Sequence, residues 1–389
     1  MISNGKKTCK RCVMDESAKD IVFNKVGYCN FCEEFLERCG NLLPEDNSSR
    51  LEELSEFISR VKKDGAGHEY DCIVGVSGGV DSSWVLIKAV EFGLRPLAVH
   101  MDNGWNSELA QHNITSLVKG LGVDLVTHVI DWTEYRNLMQ SFFDADVVDV
   151  ELLYDNAMFG VNYQQASKFG IKHILGGMNI VTEGMKMPGE WNHLKFDKRN
   201  IKAIASKFGG HKLDSFPVIG VFGWLFQEFI VRRKWSSILD LMDYDKEHVL
   251  SILTKEYGYK PYPYKHYESI FTRFYQGYLL PEKFGYDKRR VHFSTLIMSG
   301  LMSRDQALLD LNIPYAYSSS IELERDKEYF LKKMQWSPEE LTRYLSRAQI
   351  PHLSYPSEKK LYDFLLKIYR RGLSIRNDSL KLIGKASSR

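Results

Sequence analysis

The chain has 389 residues, 44% of them hydrophobic and 26% charged, enough to bury a sizeable core in two or three units. Its 52 basic and 50 acidic side chains are well mixed and leave a formal net charge of +2, which argues against a dedicated DNA or RNA binder while leaving room for local basic patches. Met1 to Thr8 is polar and holds no apolar core segment, so no secretory signal is expected and the expected location is the cytoplasm.

Two Cys-x-x-Cys pairs open the chain, Cys9-Lys10-Arg11-Cys12 and Cys29-Asn30-Phe31-Cys32, with sixteen residues between them. Thiolates at that spacing can share one tetrahedral ion, and the Gly27-Tyr28 turn suits a knuckle. Residues 1–45 are therefore expected to be a zinc ribbon with Cys9, Cys12, Cys29 and Cys32 as ligands. So short and polar a segment lacks an apolar core, and the ion would supply its folding energy. A four-cysteine iron–sulfur cluster and a redox pair are the other readings of the same pattern. Cys39 and Cys72 are left over, and Cys72 sits in an apolar strand, the setting of a buried inert thiol.

Pro44 to Asn47 reads as a linker, and Arg50 to Lys63 carries Leu51, Leu54, Phe57, Ile58 and Val61 at helical spacing. Strand and helix then alternate. Strands are expected at Cys72–Val76, Pro96–Met101, Asp124–Ile130 and Lys172–Gly176, and helices at Ser82–Phe92, Glu108–Leu121, Thr133–Phe143 and Tyr154–Phe169. Alternation at this interval makes right-handed parallel crossovers. Residues 50–185 are therefore expected to be an α/β unit, a doubly wound parallel sheet with ligands at the carboxyl ends of its strands.

The first strand runs into Ser77-Gly78-Gly79-Val80-Asp81-Ser82-Ser83 before helical periodicity resumes. Gly78 and Gly79 let the backbone approach an anion, and Ser77, Ser82 and Ser83 offer hydroxyl donors. The following helix points its positive end at the same spot, so the loop reads as a phosphate cradle. No lysine follows the glycines, which excludes the GxxxxGK[ST] arrangement. Asp81, a carboxylate inside the cradle, can hold a magnesium ion against departing phosphates. A Gly-Gly turn with a serine helix cap is the plainer reading of the same residues.

Residues 186–389 are expected to form a mostly helical, aromatic-rich region that receives substrate or partner. Its longest apolar stretch, Phe216 to Val231, is interrupted by Pro217, Gly220, Gly223, Gln227 and Glu228 and falls short of the roughly 20 residues a spanning helix needs, so no transmembrane segment is expected. A buried or oligomer-forming aromatic helix is the expected use, ahead of a membrane-surface segment. Farther on, Lys283, Lys288, Arg289, Arg290 and His292 crowd together and Arg304 follows, which makes Lys283 and Arg289 candidate contacts for a pyrophosphate or a nucleotide-sugar diphosphate. Ser337-Pro338-Glu339-Glu340 is a capping box with proline at the first helical position, starting a helix that runs to about Arg347. The last dozen residues read as a frayed tail.

The Ser77 to Ser83 loop resembles the SGGxDS signature of the PP-loop ATP pyrophosphatases, whose HUP-like domains split ATP into AMP and pyrophosphate while adenylating a substrate oxygen. The resemblance implies ATP and magnesium at Ser77, Gly78, Gly79, Asp81, Ser82 and Ser83, with Asp102 on the nucleotide and the backbone around Met101 reading adenine. It also implies Gly177 close to the reacting phosphate, with Asn179 and Glu183 orienting substrate or handling ammonia protons.

Taken with the cysteine pairs and the Lys283 to Arg304 segment that ends Ser-Gly-Leu-Met-Ser-Arg-Asp-Gln-Ala-Leu, nearly the whole chain is similar to the N-acetyl sugar amidotransferases of surface-polysaccharide and flagellin-sugar pathways. That family implies conversion of an acetamido to an acetamidino group on a nucleotide-linked sugar. It also implies ammonia from a separate glutaminase working with a cyclase-like partner. The alternative is a PP-loop tRNA thiolase or ligase. It is disfavoured by the small basic surplus and by the lack of cysteines beyond Cys72 in or after the nucleotide domain.

Overall fold

The computed structural model describes residues 5–39, 47–209, 213–262, 268–317, 319–369 and 371; most of the linker expected from Pro44 and the terminal tail lie outside them. Five strands, β1 (Cys72–Gly75), β2 (Pro96–Asp102), β3 (Leu125–Val129), β4 (His173–Gly176) and β5 (Lys234–Ser237), form one parallel sheet in the order β3-β2-β1-β4-β5. The first four fall within one residue of their expected ends. β5 comes from beyond residue 185. Its Lys-Trp-Ser-Ser sequence carries no apolar run, and its place is set by pairing with β4, Ile174 opposite Trp235.

Helices α1 (Asn30–Cys39), α2 (Asn47–Asp64), α3 (Val80–Glu91), α4 (Glu108–Leu121), α5 (Trp132–Asp144) and α6 (Leu152–Lys168) accompany these strands. Side chains alternate across β1: Cys72 and Val74 enter the core shared with α2, α3 and α4, while Ile73 enters the one shared with α5 and α6. Local capping agrees with the ends: Ser107 accepts from the Ala110 amide ahead of α4, Gly122 closes α4 at φ +64°, and Asp131 starts α5. From β1 the chain moves outward through β2 and β3, then returns past β1 to β4. The order therefore reverses between β1 and β4, where the strand ends open a crevice.

The chain continues through α7 (Ile180–Glu183), α8 (Lys198–Ile204), α9 (Val221–Leu225), α10 (Lys246–Tyr257) and α11 (Ile270–Phe274), and then α12 (Arg289–Met298), α13 (Arg304–Leu311), α14 (Ser320–Met334) and α15 (Pro338–Ser346). The capping box forms as read: Ser337 Oγ accepts from the Glu340 amide and Glu340 Oε2 from the Ser337 amide, at 3.3 and 2.6 Å. α9 and α11 run on as wide π turns, Phe226–Val231 and Tyr275–Phe284. The stretch expected to be a buried or oligomer-forming aromatic helix is buried only in its first half. Phe216 and Val221 are inside, whereas Phe222, Phe226, Phe229 and Ile230 face outward because no described element covers that side. No helix among the described residues is long and apolar enough to cross a membrane.

The cysteine knuckle is clamped onto the C-terminal helices. Arg304 donates to the Cys9 and Cys12 carbonyls at 3.0 and 3.1 Å, Arg290 donates to the Val13 carbonyl at 2.8 Å and pairs with buried Asp15 at 3.0 Å, and Ser294 accepts from the Val13 amide. Two arginines of the basic segment are thus spent holding the N-terminus, which has too small a core to hold itself.

Candidate active site and metal centre

The four knuckle cysteines are buried and their sulfurs lie within 4.8 Å of one another, with separations of 3.8 Å (Cys9 to Cys32), 3.7 Å (Cys12 to Cys29) and 3.5 Å (Cys29 to Cys32). A tetrahedral ion with metal–sulfur bonds of about 2.3 Å sets its sulfurs about 3.8 Å apart, so the group fits a metal ion. Amides of Arg11 and Cys29 point at Cys9 Sγ and that of Met14 at Cys12 Sγ, donors that favour the thiolate form. None of the six cysteines is joined in a disulfide, and burial raises the Cys72 thiol well above its ordinary value, in keeping with an inert core residue.

At the switch between β1 and β4 a cleft of about 990 Å³ opens over the strand ends, lined there by Gly75, Val99, Met101 and Gly177. This is the upper end of the roughly 300–1,000 Å³ of small-molecule sites, with room for a nucleotide and a second substrate. The Ser77 to Ser83 loop forms its floor. Ser77 Oγ accepts from the Gly79 amide at 3.2 Å and lies 3.2 Å from Ser82 Oγ, while Ser83 Oγ donates to the Gly79 carbonyl at 2.7 Å. Gly79 precedes α3 without a capping side chain, which leaves the helix's positive end facing the cleft.

Two glycines are required by space and backbone. Gly78 has φ +82° and a Cβ there would stand 2.8 Å from the Ala110 carbonyl oxygen; one on Gly177 would stand 2.8 Å from the Ser82 amide nitrogen. Tyr259 and Tyr262 both donate to the Gly78 carbonyl at 3.0 Å, pinning the loop from outside, and Tyr244 donates to Asp81.

Ser77, Gly79, Asp81, Ser82, Gly177 and Glu183 all line the cleft. Gly78 and Ser83 shape the loop from behind. Four other expected contacts are used elsewhere. Asp102 accepts from the Gly104 amide and Asn106 Nδ2 at 2.8 and 3.2 Å, serving the turn after β2, and Asn179 caps α7 by accepting from the Thr182 amide at 2.8 Å. Neither lines the cleft. Arg289 grips Asp287 of its own turn at 2.7 Å and the Ile313 carbonyl at 2.8 Å. The Lys283 side chain is buried and donates to the Tyr344 and Arg347 carbonyls at 2.5 and 2.9 Å while pairing with Asp146 at 2.9 Å. Both cations are neutralised inside the fold and are removed from the phosphate-contact set. Lys283→Ala is expected to cost about 3–5 kcal/mol of stability by stranding buried acceptors, with activity per folded molecule unchanged; urea unfolding beside a per-molecule rate checks both.

Sequence reasoning missed a polar tier on the opposite wall. Glu151 accepts from Gln276 Nε2 at 2.9 Å and pairs with Lys288 at 2.7 Å, and Lys195 bridges Asp149 and Asp155, each at 2.8 Å. The available signal was the run of acids from Asp146 to Asp155 in an otherwise apolar stretch. Beyond the tier, Phe159, Phe196, Trp224 and Trp235 make an aromatic wall.

Burial raises Asp149, but Lys195 and Lys288 outweigh it and hold its carboxyl at about 2. Burial, helped by stacked His193 4.3 Å away, lowers His352 to about 3, and its neutral Nε2 accepts from the Asp149 amide at 3.2 Å. An unfolded histidine titrates near 6.5. Between that pH and about 3, the unfolded chain binds a proton the folded chain refuses, so stability falls with pH across this window by up to about 5 kcal/mol. Asp149 adds a further loss only below about pH 4, as the pH drops toward its folded value. His352→Gln is expected to flatten the fall in urea midpoint between about pH 7 and pH 4.

Residues 268–369 match the family model described as LPS biosynthesis protein WbpG-like, C-terminal domain. This part of the chain is similar to that domain. That segment brings Glu268, Phe271, Thr272, Gln276 and Lys288 to the cleft. None of the curated proteins matches the chain. Among solved structures, similarity is found to an NMN synthetase from Francisella tularensis (16% identity, 57% of this chain and 90% of that one, TM-score 0.30). An NH3-dependent NAD synthetase from Campylobacter jejuni is similar at 16% identity, 57% of this chain, 100% of that one and TM-score 0.28. A predicted subunit of tRNA methyltransferase from Methanocaldococcus jannaschii is similar at 12% identity, 47% of this chain, 76% of that one and TM-score 0.27.

Proposed function

We propose that the protein is an ATP-dependent amidotransferase that turns the acetamido group of an N-acetyl sugar into an acetamidino group, releasing AMP and pyrophosphate. One observation carries the reading: a lysine-free glycine loop at the β1/β4 switch point lies in a cleft that is also lined by residues 268–369, the segment similar to the WbpG-like C-terminal domain of LPS biosynthesis. The loop amides, Ser77 and Ser82 would hold the phosphates. Asp81 stands in the loop itself, and Glu183 and Glu268 also line the cleft, so Asp81 would hold magnesium against the phosphates. Magnesium bound there would neutralise the leaving pyrophosphate.

An amide carbon is a weak electrophile. Its oxygen attacks the α-phosphorus of ATP and pyrophosphate leaves; ammonia then adds to the imidate carbon, AMP departs with the original oxygen, and a proton is released. Glu151 and Asp155 suit the hydroxyls of a sugar as acceptors, held in place by Lys288, Gln276 and Lys195. The knuckle would hold zinc. A cytoplasmic enzyme drawing ammonia from a separate glutaminase and a cyclase-like partner completes the proposal, with the sugar carried on a nucleotide.

The test uses an N-acetyl sugar nucleotide labelled with oxygen-18 in the acetamido carbonyl, with ATP, magnesium and ammonium. The label is expected in AMP, beside a product about three mass units lighter than the labelled sugar, the exchange of oxygen-18 for NH. Label-free AMP, or AMP formed with tRNA and without sugar, overturns the reading.

A further inference from the structure

The outward side of Val221–Leu225 and Phe226–Val231 carries Phe222, Phe226, Phe229 and Ile230 at 67, 52, 46 and 71% exposure. Helical residues 359–369 lie alongside and expose Phe364, Ile368 and Tyr369 by 60, 51 and 51%. Ring contacts from Trp224 to Tyr362 (5.9 Å) and from Phe229 to Tyr369 (6.0 Å) join the two segments into one surface. At 150–250 Å² per large side chain, the open apolar area is about 800 Å², more than the roughly 300–600 Å² of the largest patch on a typical monomer. Such a face has an occupant.

Charge selects it. The three acids of these segments are engaged within the fold: Glu228 pairs with Lys234 at 2.7 Å, Asp363 pairs with Lys359 at 2.6 Å, and Glu358 accepts from the Val221 amide at 3.3 Å. Arg232, Lys360, Lys367 and Arg371 are exposed and make no ion pair among the described residues. A second copy meeting this face would set the positive rim against itself. An anionic bilayer satisfies both features, taking the aromatic and aliphatic side chains between its headgroups while its phosphates meet the cations.

We propose that this face docks on the headgroup region of an anionic membrane. With no described helix able to cross, the attachment is interfacial and reversible. Trp224 and Glu228 of the same segment line the cleft, so docking sets the aromatic wall of the site beside the bilayer.

The test is sedimentation of the full chain with vesicles of phosphatidylcholine alone and of phosphatidylcholine mixed with phosphatidylglycerol, beside sedimentation equilibrium without lipid. Binding is expected only to the mixed vesicles and to weaken as salt is raised. The surface variant Phe226→Ser, Ile230→Ser, Phe364→Ser should abolish it with an unchanged melting curve. The charge variant Lys360→Glu, Lys367→Glu, Arg371→Glu should lower partitioning on the order of a hundredfold, at ~1 kcal/mol per cation. Failure of the wild type to bind mixed vesicles, or binding that ignores both variants, overturns the proposal. So does a lipid-free dimer that the apolar variant dissociates, since a second copy would then own the face. None of these readouts depends on the reaction proposed above.

Discussion

Asp81→Asn is expected to lower AMP and pyrophosphate formation about a thousandfold or more, roughly 4 kcal/mol of transition-state stabilisation, with little change in unfolding. The carboxylate stands in the first turn of α3, inside the cradle, and Tyr244 donates to it. Asparagine keeps the size of the side chain and an oxygen to accept from Tyr244, so the fold is preserved. What it removes is the charge that would hold magnesium against the phosphates. The loss should fall on kcat more than on KM, because the charge on the leaving pyrophosphate grows in the transition state while the cradle's amides still bind the ground state. Turnover at the wild-type rate would remove Asp81 from the site. A parallel loss of stability would instead mark it as a structural partner of Tyr244.

Cys9→Ser is expected to have the largest effect on folding. Its sulfur takes amide donors from two sides of the knuckle and lies 3.8 Å from Cys32 Sγ, so a three-thiolate site would bind metal far more weakly. Structural zinc supplies on the order of 10 kcal/mol of folding energy to such small segments. The damage should spread, because Arg304 and Arg290 of the C-terminal helices lose the knuckle carbonyls they clamp. Metal analysis should show the ion gone, and the melting transition should fall in step with rising insolubility. A stable variant that retains its full metal content would contradict a four-thiolate site.

Much of this architecture was legible because its causes are local. β1 to β4 declared themselves by apolar runs, α15 by Ser337 and Glu340, the knuckle by cysteine spacing, and the cradle by two glycines between a strand and a helix. The basic segment misled for the opposite reason. Lys283, Arg289, Arg290 and Arg304 look alike in one dimension, and only Lys288 of that stretch reaches the cleft together with its partner Glu151. A cation's use depends on which acceptor lies within about 3 Å, and for Lys283 the acceptors are more than 60 positions away in the chain.

By itself the sequence determined the alternating strands and helices, the glycine loop after β1 and the four-cysteine knuckle, since periodicity, glycine backbone freedom and short cysteine spacing act over a few residues. Tertiary structure alone decided that β5 extends the sheet, that Glu151, Lys195 and Gln276 line the same cleft as the loop after β1, and that Phe226 and Ile230 remain in the open. Pairing, charge neutralisation and burial are properties of neighbours brought together from distant parts of the chain, and no local pattern encodes them.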